Sequence, residues 1–305
     1  MVTTPRLTNI FSKILEKDRP PDESLVVIEA TRLFPFQVRQ LDPCVYQLHA
    51  RAKANMYTGT LKVKDGIIRE VTMEEEPSGE VNFTIHLEAK TEVFISTQDG
   101  LPARVILHFS RQPLQEFYQG KRIVLDPGHG GADGGYRGPV DLWERDVVWI
   151  TAQELLRTLQ RLGAEVVLTR GLEENPSWEE RVKKAADPTD LFVSIHTHGA
   201  ADRKVRGAAV LYNSRAERGS TLAYLALEEI MNKTKIPGRG VEPCRDLELL
   251  GKVHALLVET VTITSWVDEG ILRNPYFHRK LALAVANSFY HFISRGAGSN
   301  HEGEN

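Results

Sequence analysis

Two cysteines in 305 residues are too few for a disulfide framework. Cys44 and Cys244 fall in different halves of the chain and read as two inert thiols. No apolar run approaches the roughly 20 residues that cross a bilayer. Met1-Val2-Thr3-Thr4-Pro5-Arg6 has no apolar core of a secretory signal. Charge of one sign is also missing. A formal net charge of -3 gives no support for nucleic acid as the main partner. The chain has no internal repeat and no low-complexity tract. What remains is 41% hydrophobic and 26% charged, an ordinary globular composition long enough for two domains.

The two halves carry different periods. From about 24 to 110 the residues alternate as in strands, for example Val81-Asn82-Phe83-Thr84-Ile85-His86-Leu87 and Ala103-Arg104-Val105-Ile106-Leu107. Lys64-Asp65-Gly66, Glu76-Pro77-Ser78-Gly79 and Gln98-Asp99-Gly100 are turn signals between them. This spacing predicts a small all-β sandwich over 1–118. His49, His86 and His108 are scattered singly and read as structural or solvated.

The pattern changes near 111–120. A strand at 122–125 is followed by a helix over 143–162, a strand at 165–168 and a helix from Ser177, whose Glu180 completes a capping box. Strands at 191–196 and 208–212, a helix at 216–232, a strand at 255–259 and a helix at 275–294 come next. Alternating strands and helices predict an α/β domain over 119–295, a mostly parallel sheet with helices on both faces. The small polar tail, 296–305, reads as disordered.

Three places carry chemistry. Asp126-Pro127-Gly128-His129-Gly130-Gly131 follows the apolar Ile123-Val124-Leu125, a strand opening into a glycine-rich loop. Glu144 opens the next helix, and His196 ends Phe192-Val193-Ser194-Ile195-His196. Two histidines and a carboxylate with a place left for water are a common catalytic zinc set. His198 points to the same side of its strand as His196, so either or both can reach a metal. Glu259 closes Ala255-Leu256-Leu257-Val258, a poor place for packing and a good one for proton transfer. The glycine loop lacks a Gly-Lys-Ser/Thr ending and the dinucleotide spacing, which excludes both phosphate-loop readings.

These segments, in this order over roughly 121–295, resemble the zinc-dependent N-acetylmuramoyl-L-alanine amidases of the amidase 3 type. The resemblance implies a Zn2+ cofactor on His129, Glu144 and His196, and Glu259 as general base and acid. It implies peptidoglycan as substrate, cut between N-acetylmuramic acid and L-alanine, and a place in the cell envelope. In the family the position of His198 is usually asparagine, which makes His198 a pocket residue. Arg245 matches a basic position before the last strand, facing substrate or lying on the surface. Val261-Thr262-Ile263-Thr264-Ser265 departs from the usual Gly-Phe after the glutamate. Some relatives plug the site with a helix inserted before the final strand; the short stretch between His196 and Glu259 predicts an open groove instead. The first half resembles, more weakly, the AMIN domains that target such enzymes to the envelope. Two rival readings stay open: a catalytically silent envelope-binding protein, and a zinc peptidase acting on another amide.

Overall fold

The computed structural model describes residues 4–186 and 188–298. The chain divides into two compact units, Met1–Phe117 and Tyr118–Asn305.

Among the described residues the first unit has ten strands: β1 (Arg6–Leu15), β2 (Glu23–Ala30), β3 (Phe36–Asp42), β4 (Val45–Ala50), β5 (Lys53–Ala54), β6 (Thr60–Lys62), β7 (Ile68–Glu75), β8 (Val81–Leu87), β9 (Val93–Gln98) and β10 (Ala103–Ser110). They form two sheets, ordered β5-β1-β2-β10-β9 and β3-β4-β8-β7-β6. Neighbours are antiparallel except β1 and β5. Alternate residues of β8 and β10 are buried, which is why the sequence shows the period so plainly. Tyr46 of β4 and Phe109 of β10 meet between the sheets, ring centroids 5.9 Å apart and edge to face. The three turn signals fall between β6 and β7, β7 and β8, and β9 and β10. Strand β1 lies outside the stretch that alternates clearly. Leu7 is its one buried residue and the rest are exposed or half-buried, so no apolar period marks it.

Helix α1 (Gln112–Tyr118) leads into the second unit. There the chain runs β11 (Arg122–Pro127), α2 (Glu144–Arg161), β12 (Glu165–Leu168), α3 (Trp178–Lys183), β13 (Leu191–His198), β14 (Ala208–Tyr212), α4 (Gly219–Thr234) and β15 (Gly238–Pro243). A 3-10 turn (Asp246–Leu250), β16 (Ala255–Thr262), α5 (Trp266–Leu272) and α6 (Pro275–Gly298) complete it. The sheet order is β12-β11-β13-β16-β14-β15. The first four strands are parallel, and β14 turns antiparallel against β16. No helix among the described residues is long and apolar enough to cross a membrane.

The two faces of the sheet differ. Ile195 and Val258 pack against Leu155 of α2 and Leu281 and Val285 of α6. On the opposite face Val124, Phe192 and Ala255 pack against Ala185, Leu247 and Leu250. Along this second face each strand turns from apolar to polar toward its carboxyl end. Val124 gives way to Asp126, Phe192 to Ser194 and His196, and Leu257 to Glu259. Side chains two apart share a face, so one sequence pattern builds both a core and the mouth above it.

Several elements depart from the sequence reading. Helix α4 begins at Gly219 rather than 216, because Asn213 folds 213–216 into a turn: its Oδ1 accepts from Arg215 N and its carbonyl from Ala216 N. Strand β15, the 3-10 turn and α5 are additions, each too short to show a period. Helix α6 continues through 296–298, where a disordered tail was expected; 299–305 lie outside the described residues. Cys44 and Cys244 are free thiols.

Candidate active site

The chemistry gathers at the carboxyl ends of β11, β13 and β16. In α/β sheets this is the edge where connecting loops leave a crevice. From β11 the chain passes to β12 on one side and then to β13 on the other, so the crevice opens between β11 and β13.

The loop after β11 needs its glycines. A Cβ on Gly128 would stand 2.2 Å from Cε1 of His196, so the imidazole lies directly over that backbone. Gly135 has φ +66°, and a Cβ there would stand 2.7 Å from the Glu144 carboxylate. His129 itself sits in the left-handed region at φ +57°, uncommon for a residue with a side chain. Two buried arginines hold that conformation. Arg170 donates to the carbonyls of Pro127 (2.8 Å) and Gly128 (3.0 Å), and Arg181 to those of Pro127 (2.8 Å) and His129 (2.7 Å). Asp126 anchors Arg181 from below at 2.8 Å and accepts from the Thr169 and Ser194 hydroxyls, each at 2.6 Å. Its partners here are the side chains of three neighbouring segments.

Glu144 is fully buried at the start of α2. Its Oε1 accepts from Thr197 N at 2.8 Å and lies 3.1 Å from His196 Nδ1. Its Oε2 accepts from Tyr136 N at 3.0 Å and lies 3.1 Å from His129 Nε2. Burial pushes this carboxyl up, but the hydrogen bonds from His129 and His196 outweigh it and hold the group far below the usual carboxylate range. Glu144 is therefore an anion at any physiological pH. Burial pushes the His129 imidazole down, and the Glu144 and Asp133 carboxylates more than reverse that, so its pKa is raised.

His129, Glu144 and His196 each offer one donor atom, and the three atoms lie within 4.8 Å of one another. Their chemistry suits zinc: two imidazoles and a carboxylate, with room for a fourth ligand. A further contact fits that role. His129 Nδ1 is 2.9 Å from Asp133 Oδ2, the carboxylate-on-imidazole arrangement that orients metal-binding histidines. Asp133 carries no motif of its own in the sequence. Its position four residues after the loop histidine was the available signal.

Glu259 stands beside His196, its register partner across β13 and β16. The register then slips, so that His198 pairs with Thr262. An irregularity of this kind re-aims side chains next to a site. His198 is not one of the clustered donors; its Nδ1 lies 3.6 Å from Glu259 Oε2. The same oxygen is held by the Arg239 guanidinium from β15. Arg239 carries no signal in the sequence, because the six residues of β15 show no apolar period. Arg245 lies exposed at the start of the 3-10 turn.

A cavity of about 350 Å³ adjoins the donors, lined by His129, His196, Ser194 and Leu257, by Trp178 of α3, and by Asp246 and Leu247 of the 3-10 turn. Helix α5 braces the rim. Glu269 accepts from Val140 N (2.7 Å) and Leu142 N (3.1 Å), tying down the loop before Glu144. Asp268 accepts from Arg206 Nε and Gly207 N, both at 2.8 Å, and so holds the loop after β13. Val261-Thr262-Ile263-Thr264-Ser265, the stretch that departs from the family pattern, leads into this brace with Val261 and Ile263 fully buried.

Residues 123–290 match the family model described as N-acetylmuramoyl-L-alanine amidase. That span exceeds half of the chain, and the chain belongs to this family. A probable cell wall amidase LytH of Staphylococcus aureus is 32% identical over 180 residues, 58% of this chain and 60% of that protein. The chain thus spans less than two thirds of the length of the curated relatives it matches. Among solved structures, the N-acetylmuramoyl-L-alanine amidase AmiC2 of Nostoc punctiforme is 29% identical with a TM-score of 0.54, over 58% of this chain and 99% of that one. The catalytic domain of CwlV, an N-acetylmuramoyl-L-alanine amidase from Bacillus (Paenibacillus) polymyxa var. colistinus, shares the fold at 24% identity and a TM-score of 0.53, over 57% of this chain and 98% of that one.

Proposed function

We propose that the second unit is a zinc amidase that cuts peptidoglycan between N-acetylmuramic acid and the L-alanine of the stem peptide. The observation that carries this reading is the convergence of His129, Glu144 and His196 within 4.8 Å, with Glu259 as the register neighbour of His196. Zinc held by these three residues would supply a water of near-neutral pKa and a Lewis acid for the amide carbonyl. The rest is done by the chain. Arg239 holds Glu259 Oε2, with His198 Nδ1 3.6 Å from it, leaving Oε1 to take a proton from the attacking water and return it to the leaving alanine nitrogen. Glu144, fastened by two backbone N–H groups, keeps both imidazoles aimed at one point. The cavity between α3 and the 3-10 turn is the open groove that receives the stem peptide. The first unit, AMIN-like in this reading, holds the enzyme at the cell envelope.

Incubating the full chain and Zn2+ with purified sacculi tests this. The expected products are stem peptides with a free N-terminal alanine and glycan strands of unchanged length. New N-termini at any other residue would point to the zinc peptidase; no product from the zinc-loaded protein would point to the silent binder.

Asp133 gives a separate check on the donor set. Asp133→Asn keeps the size of the side chain but removes the charge facing His129. Zinc affinity, measured by chelator competition, is expected to fall roughly 10-fold, the low end of such effects because Asp133 is about half exposed. An unchanged affinity would mean that His129 does not ligate through Nε2.

A further inference from the structure

We propose that the first unit holds a second divalent-cation site, formed by His49, Glu76 and Glu80 and independent of the amidase reading. Each offers one donor atom, and the three atoms lie within 4.8 Å of one another. His49, which looked solitary in the sequence, belongs to β4. Glu76 and Glu80 stand on the two stems of the tight turn between β7 and β8, closed by Glu76 N donating to Glu80 O at 2.8 Å. Strands β4 and β8 are neighbours, and their register sets His49 opposite Asn82.

Asn82 makes the cluster a built one. Its Nδ2 donates to Glu76 Oε1 at 2.7 Å, which fixes the direction of the amide and turns Oδ1 toward His49 Nδ1 at 3.0 Å. One side chain thereby orients both the imidazole and a carboxylate, the supporting role that outer residues play around metal ligands. With Nδ1–H donating to Asn82, the neutral imidazole leaves a lone pair on Nε2. That nitrogen faces Glu80 Oε2 at 2.9 Å. Lone pair against carboxylate is repulsive unless a second proton or a cation joins them. A protonated imidazole pairs with Glu80 at 2.9 Å and, through Nδ1, with Glu76 at 3.7 Å, whereas an ion on Nε2 joins both carboxylates to the ring directly.

A cavity of about 270 Å³ opens over His49, Glu76 and Asn82, so an ion can enter from solvent. Arg39 and Arg51 line the same cavity. Two guanidinium groups disfavour a hard ion held by charge alone, such as Ca2+ or Mg2+. The imidazole donor selects a borderline ion of the Zn2+, Ni2+ and Cu2+ kind.

Calorimetric titration of the chelator-stripped full chain with Zn2+ alone tests the site. The expected stoichiometry is two ions for the unaltered chain, one for His49→Ala, and one for the doubly substituted His129→Ala, His196→Ala protein. Glu80→Gln changes a partly exposed residue on a turn and is expected to bind one ion as well, which guards against a folding defect in His49→Ala. Stoichiometry unchanged by His49→Ala and Glu80→Gln overturns the proposal and leaves a protonated His49 in an ion pair. If the double variant still binds two ions, the amidase reading fails while the second site stands.

Discussion

Glu259→Gln is expected to lower kcat on sacculi by roughly 10²–10⁴-fold, the usual range for removing a general acid–base group, while zinc stays bound. The geometry separates the two effects. Glu259 is not one of the clustered donors, so the substitution leaves His129, Glu144 and His196 intact. Glutamine still gives Arg239 an oxygen to bond, but it cannot take a proton from water. Loss of zinc together with activity would show that Glu259 supports the metal set instead of moving the proton. Near-normal activity would remove the proton-transfer role altogether.

Asp126→Ala is expected to destabilise the protein by about 3–5 kcal/mol, the cost of leaving one half of a buried ion pair unmatched. Arg181 and Asp126 are both nearly inaccessible to solvent, and their contact is 2.8 Å. Alanine would strand the guanidinium and also take the acceptor from the Thr169 and Ser194 hydroxyls. Because Arg181 also holds the carbonyls of Pro127 and His129, zinc affinity is expected to fall along with stability. Urea unfolding at unchanged m-value measures the first effect. A loss under about 1 kcal/mol would mean that Arg181 finds water or another acceptor, as exposed pairs do.

The residues of the site were legible where they interrupt a strong apolar pattern. Ile123-Val124-Leu125 before the glycine loop, Phe192-Val193-Ser194-Ile195 before His196 and Ala255-Leu256-Leu257-Val258 before Glu259 each mark a buried strand, and a polar residue at such an end stands out. Arg170, Arg181, Arg239, Asp133, Asp268 and Glu269 were not legible. Each is a charged residue in a short or irregular segment, where burial leaves no period to read. Alone, Arg181 on α3 looks like a solvated helix residue; only packing against β11 makes it a buried clamp. His49 shows the same limit in the other unit, since its partners lie some thirty residues away in sequence and reach it through strand pairing.

The sequence alone was sufficient for the two halves, the alternation of strands and helices in the second, and the identity of the two histidines and two glutamates that meet at its sheet edge. Periodicity is local, so it survives in a linear reading. Which charged side chains are buried, which nitrogen of each imidazole faces which carboxylate, and that His198, beyond the register slip after His196, stays outside the donor cluster were decided by the tertiary structure. Those outcomes depend on strand order and on helices closing over the sheet, which bring together residues that have no pattern in common along the chain.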